Sequence, residues 1–469
     1  MTAKPEFVKA ISRLDAAALV AGGMIGSGIF IVSADILRQV HTPGLLLVVF
    51  AISGVVTVLG AVTYGELAGM FPHAGGQYVY LREGISPLFG YLYGWTLFLV
   101  IQTGTIAAVA VAFARFTAVF IPALSPDVFL GGTVVLPSGP IEVGLSAQRL
   151  VAIASVVVLT WINIRGVRTA AFIQTSLTII KVATLAALVL LGAVLFRKPE
   201  VVAANFRVPF LPEGVTLWAF LPVIGAAMVG SLFSMDAWNN AGFAADEMKN
   251  PARDVPIAMA LGTLTVTVLY LLSNVAYVSV LPADAIANAP QDRVGTAALQ
   301  AMFDPAGLYV MAIAIIISTF GCNNGLILSG ARVYYAMARD NLFFRRTGTL
   351  DPVHKTPKFG LVVQAIWVSV LCLSGTYSQL LDYVIFAALL FYMLTAVGLF
   401  ALRVRRPRAE RPVRAPGYPW LPAAYIIATA AIGVNLLFMK PQYTWPGLII
   451  VALGVPVYYV WRAATQREG

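Results

Sequence analysis

At 469 residues the chain could enclose a large soluble core, yet 59% of it is hydrophobic and only 11% is charged. A water-exposed protein carries roughly 25% charged residues, so lipid must solvate most of this surface. The net charge of +10 would suit nucleic acid, but its charges are spaced between apolar runs, where they orient a membrane protein instead.

Taken in order, residues 1–14 form a short N-terminal segment with Lys4, Lys9 and Arg13. No cleaved export signal is read there, because the apolar run behind it leads into further spans. Runs long enough to cross a bilayer lie near 15–38, 44–70, 87–120, 147–164, 170–195, 218–247, 255–281, 305–338, 359–376, 380–402, 420–438 and 443–462. That predicts an all-α integral membrane protein of twelve transmembrane helices, since lipid leaves the backbone no partner outside a helix or a closed barrel. The short alternating segments of a barrel are absent. The third and eighth runs are long enough to tilt or to extend past the bilayer. The stretch 121–146, rich in Pro, Gly and Ser, is expected to be an irregular external loop.

With the N-terminus inside, the segments on the cytoplasmic side hold 22 lysines and arginines. The external ones hold six: Arg38, Arg197, Lys198, Arg207, Arg293 and Lys440. This bias predicts cytoplasmic N- and C-termini in a cell (inner) membrane. The basic stretch 403–414, RVRRPRAERPVR, would suit RNA or acidic lipid, although an inner loop explains it without either. No soluble domain and no phosphate-binding lysine loop is present, so solute movement would draw on gradients or exchange. Cys322 and Cys372 lie in apolar runs and offer neither metal spacing nor a disulfide framework. His41 and His73 give no metal spacing either, and no metal or cofactor is expected.

Two spans carry the wrong residues for simple lipid crossing. The first reads AGGMIGSGIFIVS over 21–33. Its glycines lower the cost of leaving helical geometry, and Ser27 can bond backbone freed by a break. Close helix packing through small residues is the alternative. The sixth reads GSLFSMDAWNNAG over 230–242, with Ser234, Asp236, Asn239 and Asn240 interrupting an apolar helix. Packing needs no carboxylate at bilayer depth. Interrupted helices at matching places in two halves of a chain point to a transporter's central site. Free amides near Ser27 and Gly28 would suit a carboxylate, and carbonyls near Phe233 and Ser234 an ammonium group. An α-amino acid carries both, with Trp238, Phe386, Phe391 and Tyr392 as candidate side-chain neighbours.

Lys181, inside TSLTIIKVATL of the fifth span, must face protein or lose its proton. It either ties helices together or also replaces a bound sodium ion. Glu66 near the end of the second span is a gate or a pairing group. Ser318, Thr319 and Asn323 in the eighth span line a pathway or satisfy helix contacts. Asp246, Glu247, Lys249 and Arg253 read as an inner charge network.

GMIGSGIF, GELAGMFPHAGGQYVYLREG, LFSMDAWNNAGFAADEMKNPARDVP and STFGCNNGLILSGARVYYAMARD together resemble the amino acid–polyamine–organocation superfamily, and within it bacterial relatives of the L-type amino acid transporters. The resemblance covers spans one to ten. It implies a five-plus-five inverted repeat, residues 15–200 and 201–402, then a basic loop 403–419, two further helices over 420–462 and a tail 463–469. It also implies a carboxylate-binding turn at Ile25, Gly26, Ser27 and Gly28, amine-binding carbonyls and an aromatic gate near Phe233, Ser234 and Asp236, and a sodium substitute at Lys181 linking spans one and eight. Two departures matter. Asp236 and Ala237 stand where many L-type relatives have glycine, and the 121–146 segment lacks the cysteine by which animal relatives join a glycoprotein, so that disulfide-linked partner is not expected.

The expected function is sodium-independent exchange of small or medium neutral L-amino acids by alternating access, without covalent chemistry. Proton-coupled uptake, including cationic amino acids or polyamines, is the alternative within transport. A membrane amino acid sensor is the alternative outside it. An enzyme is not expected, because no nucleophile–base pair or metal cluster is legible. The expected partners are a small amino acid and membrane lipid, with no nucleic acid and with the protein as a monomer.

Overall fold

Backbone that enters lipid must satisfy its own hydrogen bonds, and the apolar runs do so as helices. The structure, a computed structural model, describes residues 7–136, 139–211, 214–374 and 377–466. The first span is two helices, α1 (Arg13–Met24) and α2 (Gly28–Val40), and it is followed by α3 (Pro43–Met70), α4 (Pro87–Thr117), α5 (Ala147–Ile164) and α6 (Val167–Leu195). Then come α7 (Leu217–Ser234), α8 (Pro251–Val280), α9 (Val294–Arg339), α10 (Lys358–Ser374), α11 (Tyr377–Arg405), α12 (Trp420–Met439) and α13 (Pro441–Gln466). Among the described residues 11 spans are long and apolar enough to cross a membrane. The 17-residue α10 is a shorter apolar helix, which brings the set to the expected twelve. The ends of the expected N-terminal segment and tail, residues 1–6 and 467–469, lie outside the described residues.

Local chemistry sets several boundaries. Ser12 and Asp15 cap α1 reciprocally, the Asp15 amide donating to Ser12 Oγ and the Ser12 amide to the Asp15 carboxylate, which satisfies two amides the helix cannot. Thr42 caps α3 with Pro43 at its first position. In α9 the backbone leaves helical geometry at Phe303 and Asp304, just before Pro305, because proline disfavours helix in the residue ahead of it. The apolar part of that helix therefore begins where the sequence predicts.

The 121–146 segment is not irregular throughout. It contains an antiparallel ribbon of β1 (Leu130–Leu136) and β2 (Gly139–Leu145), with Leu130 opposite Leu145 and Leu136 opposite Gly139. β-branched residues at 133–135 and at 141 and 143 favour extended backbone despite the turn-rich composition. Arg149 pins the ribbon, donating to the Gly144 and Leu373 carbonyls at 2.9 Å and to Glu142 at 3.0 Å. α1 and α2 occupy the centre of the bundle, with α6, α7, α8 and α9 packed around them, while α12 and α13 keep large exposed faces.

Candidate functional site

The break in the first span spans Ile25 to Ser27, where α1 ends and α2 has not begun. A helix end leaves its last carbonyls without intrahelical donors, which lipid cannot replace. Side chains from three surrounding helices supply them. Lys181 Nζ of α6 donates to Gly22 O at 2.8 Å, and Thr178 Oγ1, which donates to Gln174 O of its own helix at 2.7 Å, also lies 3.1 Å from the Ala18 carbonyl farther back in α1. Cys322 Sγ of α9 donates to Gly23 O at 3.0 Å, and Tyr270 OH of α8 to Met24 O at 2.8 Å. Ser318 Oγ of α9 reaches Ile25 O at 3.1 Å and Gly26 O at 3.0 Å. The carbonyl side of the break is thus a filled socket, while the opening amides of α2, including Gly28 and Ile29, have no acceptor inside the helix.

The second break follows α7. Ser234 is its last residue; the chain then unwinds through 235–239 and resumes as one turn, Asn240–Phe243. Ala237 adopts φ 69°, a left-handed conformation that costs a residue with a Cβ roughly 1–2 kcal/mol. Such strain is held where the surroundings demand it. The two breaks touch: a Cβ on Gly28 would lie 2.5 Å from Ser234 Cβ. Between them is a cavity walled by Gly26, Ser27, Gly28, Phe233, Ser234 and Asp236, with Thr105, Cys322 and neighbours behind. The positive end of α2 and the negative end of α7 both face it. It has room for about one water, too little for an amino acid.

Of the residues singled out in the sequence, Gly26, Ser27, Gly28, Phe233, Ser234 and Asp236 line this cavity. Ile25 is fully buried at the end of α1 and contributes its carbonyl to Ser318. Trp238 lies on the next small cavity, with Asp236, Thr57, Tyr392 and Tyr425. Its ring is wedged between Tyr64, 4.8 Å between centroids, and Tyr392, 5.3 Å. Tyr392 also donates its hydroxyl to Asp236 Oδ1 at 2.5 Å. Phe391 packs on Tyr93, and Phe386 is buried beside Gly447, so neither faces lipid and neither reaches the cavity. Thr319 donates to the Ile315 and Ile316 carbonyls of its own helix, and Asn323 is buried off the cavity wall. Beyond Trp238 a polar relay runs from Asn239 Nδ2 to Gln77 Oε1, 2.7 Å, and from Gln77 to Thr395, 3.1 Å. Thr178, Tyr270, Cys322 and Thr105 carry no sequence signal.

Ion pairs tie helices together at both ends. Glu247, read from the sequence as part of an inner charge network, pairs with Arg332 of α9 at 2.8 Å, both side chains 1% exposed. Glu66 pairs with Arg403 and Arg411. Arg13 meets Asp254 at 2.7 Å. Tyr78 and Arg82, in the short helix Gln77–Gly84 between spans, both donate to Asp340. Burial and the Asp340 carboxylate hold the Tyr78 phenol well above its ordinary value. Burial opposes the Arg82 charge, yet Asp340 keeps that guanidinium above its ordinary value. At the opposite end Arg38 bonds Ala287 O and Asp292, and Lys440 pairs with Asp382 at 2.7 Å. Among the described residues no group of three His, Cys, Asp or Glu could hold a metal ion.

The family model of amino acid permeases matches residues 11–459. The chain belongs to that family. This permease is 30% identical over 463 residues to the human "Large neutral amino acids transporter small subunit 2", covering 96% of this chain and 80% of the relative. It is 26% identical over 456 residues to the mouse "b(0,+)-type amino acid transporter 1", covering 96% and 87%. With its apolar helices and this membership, the permease is a multi-pass membrane protein.

Proposed function

We propose that this permease is a sodium-independent transporter that exchanges small or medium neutral L-amino acids by alternating access. The observation that carries the reading is the polarity of the two breaks. One presents helix-start amides and the other helix-end carbonyls to a single cavity, as the carboxylate and amine of an amino acid require. Transport by the named relatives points the same way. Lys181 supports sodium independence, because its amine already occupies the first break at Gly22 O. Residues 15–200 and 201–402 are read as the inverted repeats, with both termini in the cytoplasm and the protein in the inner membrane. A relative is named a small subunit, but this chain's two cysteines are both buried in spans. A disulfide-joined partner is therefore not expected.

The cavity has room for only about one water, so α2 and α7 must part before a substrate enters. Trp238, wedged between Tyr64 and Tyr392, bars the way on one side. Exchange follows if the two breaks close only around an occupant and then release toward the other side.

A second reading rests on Asp236. It is 7% exposed, its side chain bonds Tyr392, and among the described residues no cationic side chain pairs with it. A buried carboxylate without a cation invites one, from a lysine- or arginine-type substrate or as a proton. Asp236→Asn separates the readings. Neutral exchange should persist in the variant, whereas the second reading expects loss of cationic uptake or of its dependence on a proton gradient.

The primary test uses the protein in liposomes with labelled amino acid outside. Uptake should need unlabelled amino acid inside and should be unchanged without sodium or with the proton gradient collapsed. Equal uptake into empty vesicles that disappears with the proton gradient would overturn exchange. Binding without flux would make the protein a sensor.

A further inference from the structure

The basic stretch 403–414 is not a loose run of charge. Glu66, fully buried at the end of α3, gathers it. Arg403 donates to both Glu66 oxygens at 2.9 and 2.5 Å, Arg411 donates at 2.9 Å, and the Ala415 amide donates at 2.8 Å. Arg411 also donates to the carbonyls of Arg406, Pro407 and Ala409, which folds the segment over its own guanidinium. The Arg403 guanidinium lies 3.8 Å from the centroid of the Tyr418 ring. Arg405 is spent on the Ile85 carbonyl, 3.2 Å, and Arg406 on Glu83, 3.0 Å.

That accounting leaves two. Arg408 and Arg414 are exposed, and among the described residues neither has a hydrogen-bond or ion-pair partner. They project from a platform that joins the end of α11 to the start of α12, so it sits where two spans leave the hydrocarbon. Val404, 80% exposed, and Trp420, 79% exposed, flank it on those helices. Exposed tryptophan at a span's end belongs at headgroup level. Guanidinium groups there meet phosphate in paired hydrogen bonds.

We propose that the α11–α12 segment is a folded arginine platform, organised by Glu66, that binds the phosphate of an anionic phospholipid through Arg408 and Arg414. RNA fits less well. A nucleic-acid groove needs aromatic faces for stacked bases along a basic track, whereas here the exposed aromatic and aliphatic groups adjoin the hydrocarbon edge.

The test measures retention of phosphatidylglycerol and phosphatidylcholine by the purified full-length protein, with inorganic phosphate and a short RNA as competitors. The unaltered protein should favour phosphatidylglycerol. The double variant R408Q/R414Q should bind it roughly thirtyfold more weakly, as loss of two basic contacts near a bilayer implies. In pure phosphatidylcholine vesicles the variant should exchange amino acid at the unaltered rate, which establishes its fold. Equal phosphatidylglycerol preference in both proteins overturns the proposal. So does displacement of the lipid by inorganic phosphate at matched concentration, which marks a phosphate site, or by RNA, which marks a nucleic-acid surface.

Discussion

Lys181 is 2% exposed on α6, whose neighbouring residues Ile179 and Ile180 are 60% and 43% exposed. Its amine is turned inward to Gly22 O, and Thr178 Oγ1 on the same helix lies 3.1 Å from Ala18 O. A hydrogen bond that involves a charged group contributes about 1.5–3 kcal/mol. Lys181→Ala should therefore lower exchange by about tenfold to a hundredfold, measured in loaded liposomes against protein of equal yield. A variant that exchanges normally would end the central role assigned to this lysine. Lys181 is legible in sequence because an amine in TSLTIIKVATL contradicts its surroundings. Cys322 and Thr178 are not, and Ser318 is read only as lining a pathway or satisfying helix contacts, because small hydroxyl and thiol side chains in apolar helices ordinarily bond a carbonyl of their own helix, as Thr319 does to Ile315. Only the fold reveals that Ser318 and Cys322 serve the first span instead.

Among the elements, the paired breaks depend on close approach. Gly28 opens α2 directly against Ser234, where a methyl group would sit 2.7 Å from Ser234 Cα as well as against its Cβ. Backbone cannot yield as a flexible side chain does, and such overpacking costs typically about 1–3 kcal/mol. Gly28→Ala should cut exchange about tenfold or more. Gly433→Ala on α12, where nothing lies within 4 Å of the added carbon, should leave it unchanged. Equal behaviour of the two variants would dismiss the contact. Both interrupted spans are readable from residues that no lipid-crossing helix needs: a run of glycines in one, Asp236 with Asn239 and Asn240 in the other. The β1–β2 ribbon is hidden for the opposite reason. Glycine, proline and serine dominate the composition of its neighbourhood, and the β-branched residues that form it are few and flanked by breakers. The pairing of Glu247 is hidden too, because its partner Arg332 lies 85 residues away in α9, beyond any local charge pattern.

For the molecule as a whole, alternating access has a chemical consequence at Cys322. Its thiol lines the cavity between the breaks and is 2% exposed, while Cys372 on α10 is buried away from it. If the helices rock around one site, Cys322 is sealed in the closed form and opens to each side in turn, while Cys372 opens to neither. A membrane-impermeant methanethiosulfonate reagent should thus label Cys322 slowly when added outside the vesicles, and again when trapped within them. Cys372→Ala isolates that signal. A neutral amino acid that fills the cavity should slow labelling from both sides, by about half when half the sites are occupied. Labelling from one side alone would contradict alternating access. Labelling indifferent to amino acid would move the binding site away from the breaks, because this thiol lines the cavity between them.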